Sequence, residues 1–415
     1  MIDEPDVLVI GGGLAGLAAA HHLEGAGADW ALLEAGEAPG GRVRTDHLDG
    51  FALDRGFQAL LTAYPEARAM LDYSALDLHA FEPGALVWTQ DRLSRVSDPV
   101  RDPRSALATL RAPVGSPVDK LRVVALRRAV RREDPFEVPE STTAQDLEAL
   151  GFSPRMVERF WRPFLAGVLL DPQLGTSNRM FRFVLRMFAE GDTALPAGGM
   201  QAIPDQLASA LPAERVHYGT AVAALTGRGV TLSDGDRLRA NRAVIVATDG
   251  PGAAHLLDDV KDPGSRATTT VYLAAEKPPV ERRSLVVDGQ SSGPVNHLCV
   301  PSEIAPGYAP EGAALVSASV LDDRGLPDEA LLDAVRTQLQ GWFGPGVRAW
   351  RHLRTYRVAH AQPDQSPPAL AQPQREVRMG GGRYVCGDHR DNASIQGALV
   401  SGRRSASAVL ADLDT

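Results

Sequence analysis

The sequence predicts an α/β fold in which a parallel, helix-covered sheet opens the chain and is interrupted by a second, α+β domain. Three observations carry this expectation. Val7-Leu-Val-Ile10 is a short apolar run suited to a buried parallel strand, and the turn GGGLAG behind it enters an alanine- and leucine-rich helix ending near Gly25 to Gly27. A second strand at Asp29 to Glu34 completes a βαβ opening. Far downstream, short β-like runs at Val216 to Ala223, Val230 to Leu232 and Arg242 to Ala247, joined by Gly-Asp turns, return the chain to a sheet.

Between these ends the pattern changes. From about Pro99 to Gly191 it is helical, with arginine-dotted stretches such as Lys120 to Arg132 and Pro154 to Ala189 between proline-rich turns. Residues 268 to 275, 285 to 300 and 313 to 320 read as strands of a second sheet, followed by a helix from Pro327 to Trp342. His360 to Gln374, rich in Pro and Gln, reads as a loop. Tyr384-Val-Cys-Gly-Asp388 is strand then turn, and Ile395 to Leu413 is a final amphipathic helix. The expected division is 1 to 75, 192 to 260 and 376 to 415 for the nucleotide-binding domain, with 76 to 191 (mostly helical) and 261 to 375 (sheet) forming the other.

Composition limits the function classes. At 415 residues, 44% apolar and 23% charged, the chain can bury a large core without staples. Its net charge of −9 speaks against nucleic acid as a partner. Two distant cysteines, Cys299 and Cys386, suggest neither a disulfide framework nor a metal site, and a reducing, cytoplasmic setting is expected. The most lipid-like stretch, Val7 to Leu23, holds four glycines and two histidines and reads as neither signal peptide nor membrane span. Nothing specifies an oligomeric state.

The chemistry begins at Gly11, Gly13 and Gly16, a G-x-G-x-x-G between strand and helix. The first lets the chain turn tightly, the second lets backbone approach a pyrophosphate, and the third lets helix pack on strand. The helix start offers free N–H groups to phosphates. Glu34, 18 residues after Gly16, can accept hydrogen bonds from a ribose, so the spacing points to a dinucleotide in a Rossmann-type domain. Pro39-Gly-Gly-Arg-Val-Arg-Thr45 adds glycines and a guanidinium that can wrap a further part of a long cofactor. Gly380-Gly-Gly382 precedes a strand, not a helix, and reads as a turn, so a second nucleotide domain is not expected.

These blocks, with LDRGFQALLTAYPEA, LPAGGMQAIPDQLA, the V-I-V-A-T of residues 244 to 248 and YVCGDHRDNASIQGALVSGRRSASAVL, resemble the flavin amine oxidase superfamily. Phe160-Trp-Arg-Pro-Phe-Leu-Ala-Gly167 and SIQGALVSG are similar to its branch of plant-type phytoene desaturases and protoporphyrinogen oxidases. The resemblance implies that Gly11, Gly13, Gly16, Glu34, Gly41 and Arg42 hold the ADP half of FAD, with Val222 touching the adenine through backbone. It further implies that Gly387 and Asp388 lie by the ribityl-phosphate region, that Ile395, Gln396 and Ala398 border the isoalloxazine, and that Gly56-Phe57-Gln58 passes its other side. A helix starting near Ser394 can aim its positive end at a reduced flavin. Cys386 reads as a buried thiol, so the FAD is expected to be non-covalent.

Departures from the superfamily shape the functional expectation. Relatives that oxidise amines carry a lysine where this chain has Arg266-Ala-Thr-Thr-Thr270, their paired aromatic cage is not recognisable, and Gly36 stands where an arginine often follows the glutamate. The expected activity is desaturase-like dehydrogenation of a largely apolar small molecule, with dioxygen or a quinone as external electron acceptor. The alternatives are an amine or protoporphyrinogen oxidase using dioxygen, and a non-catalytic binding protein of the dissociation-inhibitor type. Gln58, Tyr356, His360 and His389 are candidates for the substrate pocket, catalytic side chains are not identified, and no metal is expected. Lys120 to Arg132 interleaves six cations with apolar residues and could touch an anionic membrane, although a solvated helix face is the preferred reading.

Overall fold

A computed structural model describes residues 4–98 and 100–413. Pro99, the expected start of the helical stretch, and the extreme ends of the segments beginning at 1 and ending at 415 lie outside the described residues. The opening folds as its pattern demands. Strand Val7–Ile10 is buried on both faces, helix Leu14–Gly25 follows, and strand Trp30–Leu33 pairs parallel to the first with Val7 opposite Trp30. These belong to a six-stranded sheet ordered Val216–His217, Trp30–Leu33, Val7–Ile10, Ala243–Val246, Arg383–Val385 and Arg378–Gly380, parallel except for the last strand. The final helix, Ile395–Leu413, lies against the first. Gly402 makes this close approach possible, since a Cβ there would meet the Ala15 carbonyl oxygen at 2.1 Å.

A seven-stranded sheet, ordered Arg351–Pro363, Ser265–Ala275, Ala314–Val320, Val295–Cys299, Leu285–Asp288, Ala85–Thr89 and Arg92–Val96, forms the second layer. Four expectations change here. The run Val216 to Ala223 is split, because Val216–His217 joins the parallel sheet while Val222–Thr226 starts an antiparallel hairpin with Gly229–Leu232. The expected loop from His360 is strand as far as Pro363, held by pairing with Ser265–Ala275. The segment 76 to 191 is not helical throughout: Ala85–Thr89 lies parallel to Leu285–Asp288 and extends the second sheet. The stretch Pro154 to Ala189 is two helical parts, with Leu170 at φ 52° ending the first and Asn178–Glu190 forming the second.

A buried carboxylate ties these parts together. Asp54 accepts from the Thr45 hydroxyl (2.6 Å), the Met200 N–H (3.0 Å) and the Tyr308 hydroxyl (2.9 Å), while the Tyr272 hydroxyl donates to its carbonyl (2.9 Å). Burial pushes its pKa up to about 6 against the lowering effect of those donors. The LPAGGM block therefore has a structural role: its Met200 N–H satisfies Asp54, and Gly199 leaves room for Thr45.

Candidate active site

One cavity of about 1180 Å³ runs between the two sheets. That exceeds the roughly 300–1,000 Å³ of a drug-sized site. One end is built from backbone. Gly11, at φ 107°, turns the chain out of the first strand, and Gly16 lets the helix close on it, since a Cβ at Gly16 would sit 1.9 Å from the Gly11 carbonyl oxygen. A Cβ on Gly13 would meet nothing within 4 Å, so this glycine borders open space. Helix Leu14–Gly25 has no side-chain cap, and Gly13, Leu14 and Ala15 line the cavity, so its first N–H groups are available to an anion.

The Glu34 carboxylate braces this turn, accepting from the Gly12 N–H (2.6 Å) and the Gly36 N–H (2.7 Å) while facing the cavity. Gly41 and Val222 line the same end. Arg42 reaches across the chain to Asp388, with Nη2 2.7 Å from Oδ1, and donates to the Ala361 carbonyl at 2.9 Å. Gly56, Phe57, Gln58, Gly387, Asp388, Ile395 and Ala398 continue along the wall. Gln58 donates to the Arg42 carbonyl at 2.8 Å. At the start of the final helix the Ser394 hydroxyl accepts from the Gly397 N–H at 3.1 Å, and both Ser394 and Ile395 face the cavity.

Several expected residues stand elsewhere. Gly16 packs behind the turn and does not line the cavity, which is the spacing role assigned to the third glycine. Gln396 is buried and turns its carbonyl oxygen to the Glu66 N–H (2.9 Å). Tyr356 is not on the wall: its hydroxyl donates to Asp46 (2.7 Å), because the pairing of its strand directs it to the Asp46–Arg55 ion pair. His360 is exposed and bonds Ser265 (2.9 Å), again outside the cavity. His389 is buried behind Gly387 with neither ring nitrogen partnered in the protein, and burial pulls its pKa down to about 4.

The other end of the cavity is a chamber of side chains. Phe57, Phe160, Trp161, Phe164, Leu185 and Phe188 line it, with Phe160 and Phe164 stacked at 5.6 Å. Trp161 closes a π-helical turn, Val157–Trp161, a local widening common at functional sites. His297 also lines the cavity, edge-on to Phe57 at 5.2 Å and only 2% exposed. A Cβ on Gly167 would press its Nδ1 at 2.7 Å, so the glycine makes room for the ring. The Asn296 amide, which donates to the Pro163 carbonyl (2.9 Å), also lies 3.1 Å from His297 Nδ1. That makes Nδ1 the acceptor and leaves the proton of the neutral ring on Nε2, which has no protein partner. Burial lowers the His297 pKa to about 4.

Sequence reasoning missed His297. The available signal was its place beside Val295 and Cys299 on one face of an apolar strand, where a histidine stands out. Lys120 lines the cavity too, but its ammonium donates to the Leu110 and Ala112 carbonyls. On strand Ser265–Ala275, Thr268 faces the cavity and the Thr270 hydroxyl accepts from the Phe57 N–H (3.3 Å). Among the described residues no cluster of side chains could hold a metal ion.

Backbone donors at one end, an apolar chamber at the other and an elongated volume between them are a Rossmann-type nucleotide site opening on a substrate chamber. Residues 14–410 match the family of flavin-containing amine oxidoreductases, and the chain belongs to it. The chain is 26% identical to coproporphyrinogen III oxidase of Mycobacterium tuberculosis across 98% of its own length and 97% of that protein. A 51-residue stretch, 12% of this chain and 10% of the other, is 53% identical to carotenoid 3,4-desaturase of Haloarcula japonica. An oxidoreductase from Methanosarcina mazei superposes with a TM-score of 0.75 at 18% identity, covering 99% of this chain and 100% of that one. The protein is an FAD-dependent oxidoreductase. The glycine turn fits that cofactor: Gly13 borders open space, the helix start is uncapped, and both face a cavity of about 1180 Å³.

Proposed function

We propose that the protein dehydrogenates a largely apolar small molecule held in the chamber between Phe57 and the π-helical turn. The aromatic lining around Phe160, Phe164 and Phe188 carries this reading, and the cations that border the cavity near it are engaged, Arg101 by the Phe188 carbonyl, Arg127 by Asp98 and Lys120 by the Leu110 and Ala112 carbonyls. FAD, when bound, supplies the two-electron acceptor for a substrate C–H bond. In this reading Gly11, Gly13, Glu34, Gly41, Arg42 and Val222 hold its nucleotide half, Gly56, Phe57, Gly387, Asp388, Ile395 and Ala398 border the rest, and segments 1 to 75, 192 to 260 and 376 to 415 form the domain that binds it. The Arg42–Asp388 pair joins the first and last of these segments. Attachment is non-covalent: Cys386 is buried away from the cavity, and burial pushes its thiol up to about 12.

A second reading, oxidation of a porphyrinogen with dioxygen, is supported by the full-length similarity to coproporphyrinogen III oxidase. It also draws on the chamber's polar inventory. His297 Nε2–H and Trp161 Nε1–H have no partner in the protein, and both residues line the cavity, which favours a substrate carrying oxygen acceptors over a plain hydrocarbon. Amine oxidation lacks comparable support, since Lys120 is spent on carbonyls and no lysine lines the inner chamber. The test is anaerobic titration of the yellow holoenzyme with a polyene precursor, coproporphyrinogen III and a panel of amines. Bleaching of the visible spectrum by the polyene supports the first reading and by the porphyrinogen the second. Bleaching by amines alone overturns both.

A further inference from the structure

Six large hydrophobic side chains are exposed among the described residues, and five stand within one short segment: Val100, Leu107, Leu110, Val118 and Leu121, the last 70% exposed. They lie on or beside two consecutive helices, Ala106–Arg111 and Pro117–Val130, which Val114, fully buried between them, anchors to the core. Single exposed leucines are ordinary, whereas a cluster is not. Its charge is one-sided. From Val100 to Arg132 the chain carries nine cations, including exposed Arg104, Arg111 and Arg128, against two carboxylates, Asp102, which pairs with Arg95, and Asp119. Asp119 is buried and engaged by Ser116 and Ser153. The surface here is therefore apolar tips among positive charge, in a protein whose net charge is −9.

The same helices border the cavity. Leu110 and Leu121 are both exposed and among its lining residues, so the cavity reaches the surface inside this patch. We propose that this face docks on an anionic lipid bilayer, with the five hydrophobic side chains entering the interface and the surrounding arginines meeting headgroup charge. The cavity then opens toward acyl chains instead of water. Docking stands on the patch itself, whereas delivery of substrate through the mouth rests on the apolar-substrate reading above. Among the described residues no helix is long and apolar enough to cross a membrane, so the contact is peripheral.

The test is co-sedimentation of the holoenzyme with vesicles of phosphatidylcholine alone and of phosphatidylcholine with one quarter phosphatidylglycerol. Wild type is expected to pellet with the anionic vesicles at low salt and to be released as salt rises. Leu107→Ser with Val118→Ser, two exposed positions outside the cavity, should weaken binding at least about tenfold. Tyr218→Ser, at the sixth exposed hydrophobic, should change nothing. Retention of the visible FAD spectrum shows that each variant is folded. The proposal is overturned if wild type stays in the supernatant at low salt, or if the double variant pellets like wild type. It is equally overturned if light scattering shows that the double variant turns a dimer into a monomer, because a second copy then covers the patch. None of these readouts depends on the substrate, so the docking proposal and the assigned reaction can fail separately.

Discussion

His297→Gln removes a buried imidazole whose neutrality the fold enforces, and the consequence is a change in how stability depends on pH. The ring is 2% exposed and its pKa falls to about 4, against an ordinary value of about 6.5 in the unfolded chain. Between those values the unfolded state binds a proton that the folded state refuses. The contribution is therefore complete above the unfolded pKa and is lost as pH falls through 6.5 toward 4. Linkage puts the loss between pH 7 and pH 5 at about 2 kcal/mol. His389, also near 4, has the same sign. Asp54 and Asp391, raised to about 6, have the opposite one, since a folded state that holds its protons more tightly loses stability as pH rises through that window. The raw curve of the wild type mixes these four with His21, His217 and His352, whose pKa values burial also lowers. Subtracting the variant's curve removes every contribution but that of His297, provided the other groups do not sense position 297. Urea unfolding of the FAD-saturated protein, followed by tryptophan fluorescence at pH 7 and pH 5, should show wild type losing about 2 kcal/mol more than the variant over that interval. Parallel losses would refute the reasoning, because they would mean that His297 takes up its proton as readily in the fold as in water.

Two further substitutions probe the cofactor end. Gly16→Ala places a methyl 1.9 Å from the Gly11 carbonyl oxygen, where neither helix nor strand has a rotamer to yield. Overpacking of this kind costs about 1–3 kcal/mol, so a lower Tm and a protein purified with little visible flavin absorbance are expected. Glu34→Gln keeps one acceptor oxygen but turns an amide toward either the Gly12 or the Gly36 N–H. Leaving one donor unpaired costs about 1–3 kcal/mol, and fluorescence titration should show FAD bound roughly tenfold or more weakly.

Legibility in the sequence followed how local each feature's cause is. The opening βαβ unit rests on neighbouring residues, an apolar run and glycines at fixed spacing, and it could be read directly, as could the final helix Ile395–Leu413. Tyr356 and His360 were misjudged because their orientation is set by a strand paired to residues about ninety positions earlier, with two register irregularities along the way. His297 was invisible for a related reason. Its space depends on Gly167 and its ring contact on Phe57, each remote in sequence. The tautomer depends on Asn296, a neighbour fixed in turn by Pro163. The basic stretch from Lys120 was legible as a charged helix, but only the fold shows that Leu107, Leu110, Val118 and Leu121 are all exposed and that Leu110 and Leu121 border the cavity.

The two ends of the cavity differ in what a substitution can do to them. At the glycine turn the ligand-facing groups are backbone N–H donors, and the contacts that shape them are sub-van der Waals for any added carbon, as at Gly11 and Gly16. A side chain added at Gly11 or Gly16 cannot retune such a site without moving the first strand from the first helix. In the chamber the surface is made of aromatic and aliphatic side chains on the π-helical turn and the helix Asn178–Glu190, whose residues can change size while the seven-stranded sheet stays in place. Cofactor and substrate selection are thereby carried by different chemistry within one cavity. That separation explains why resemblance identifies the cofactor from short blocks while the substrate has to be argued from Phe160, Trp161 and His297. It also locates the changes that would alter substrate choice, at side chains lining the chamber and the helices around its mouth, with the nucleotide end unaltered.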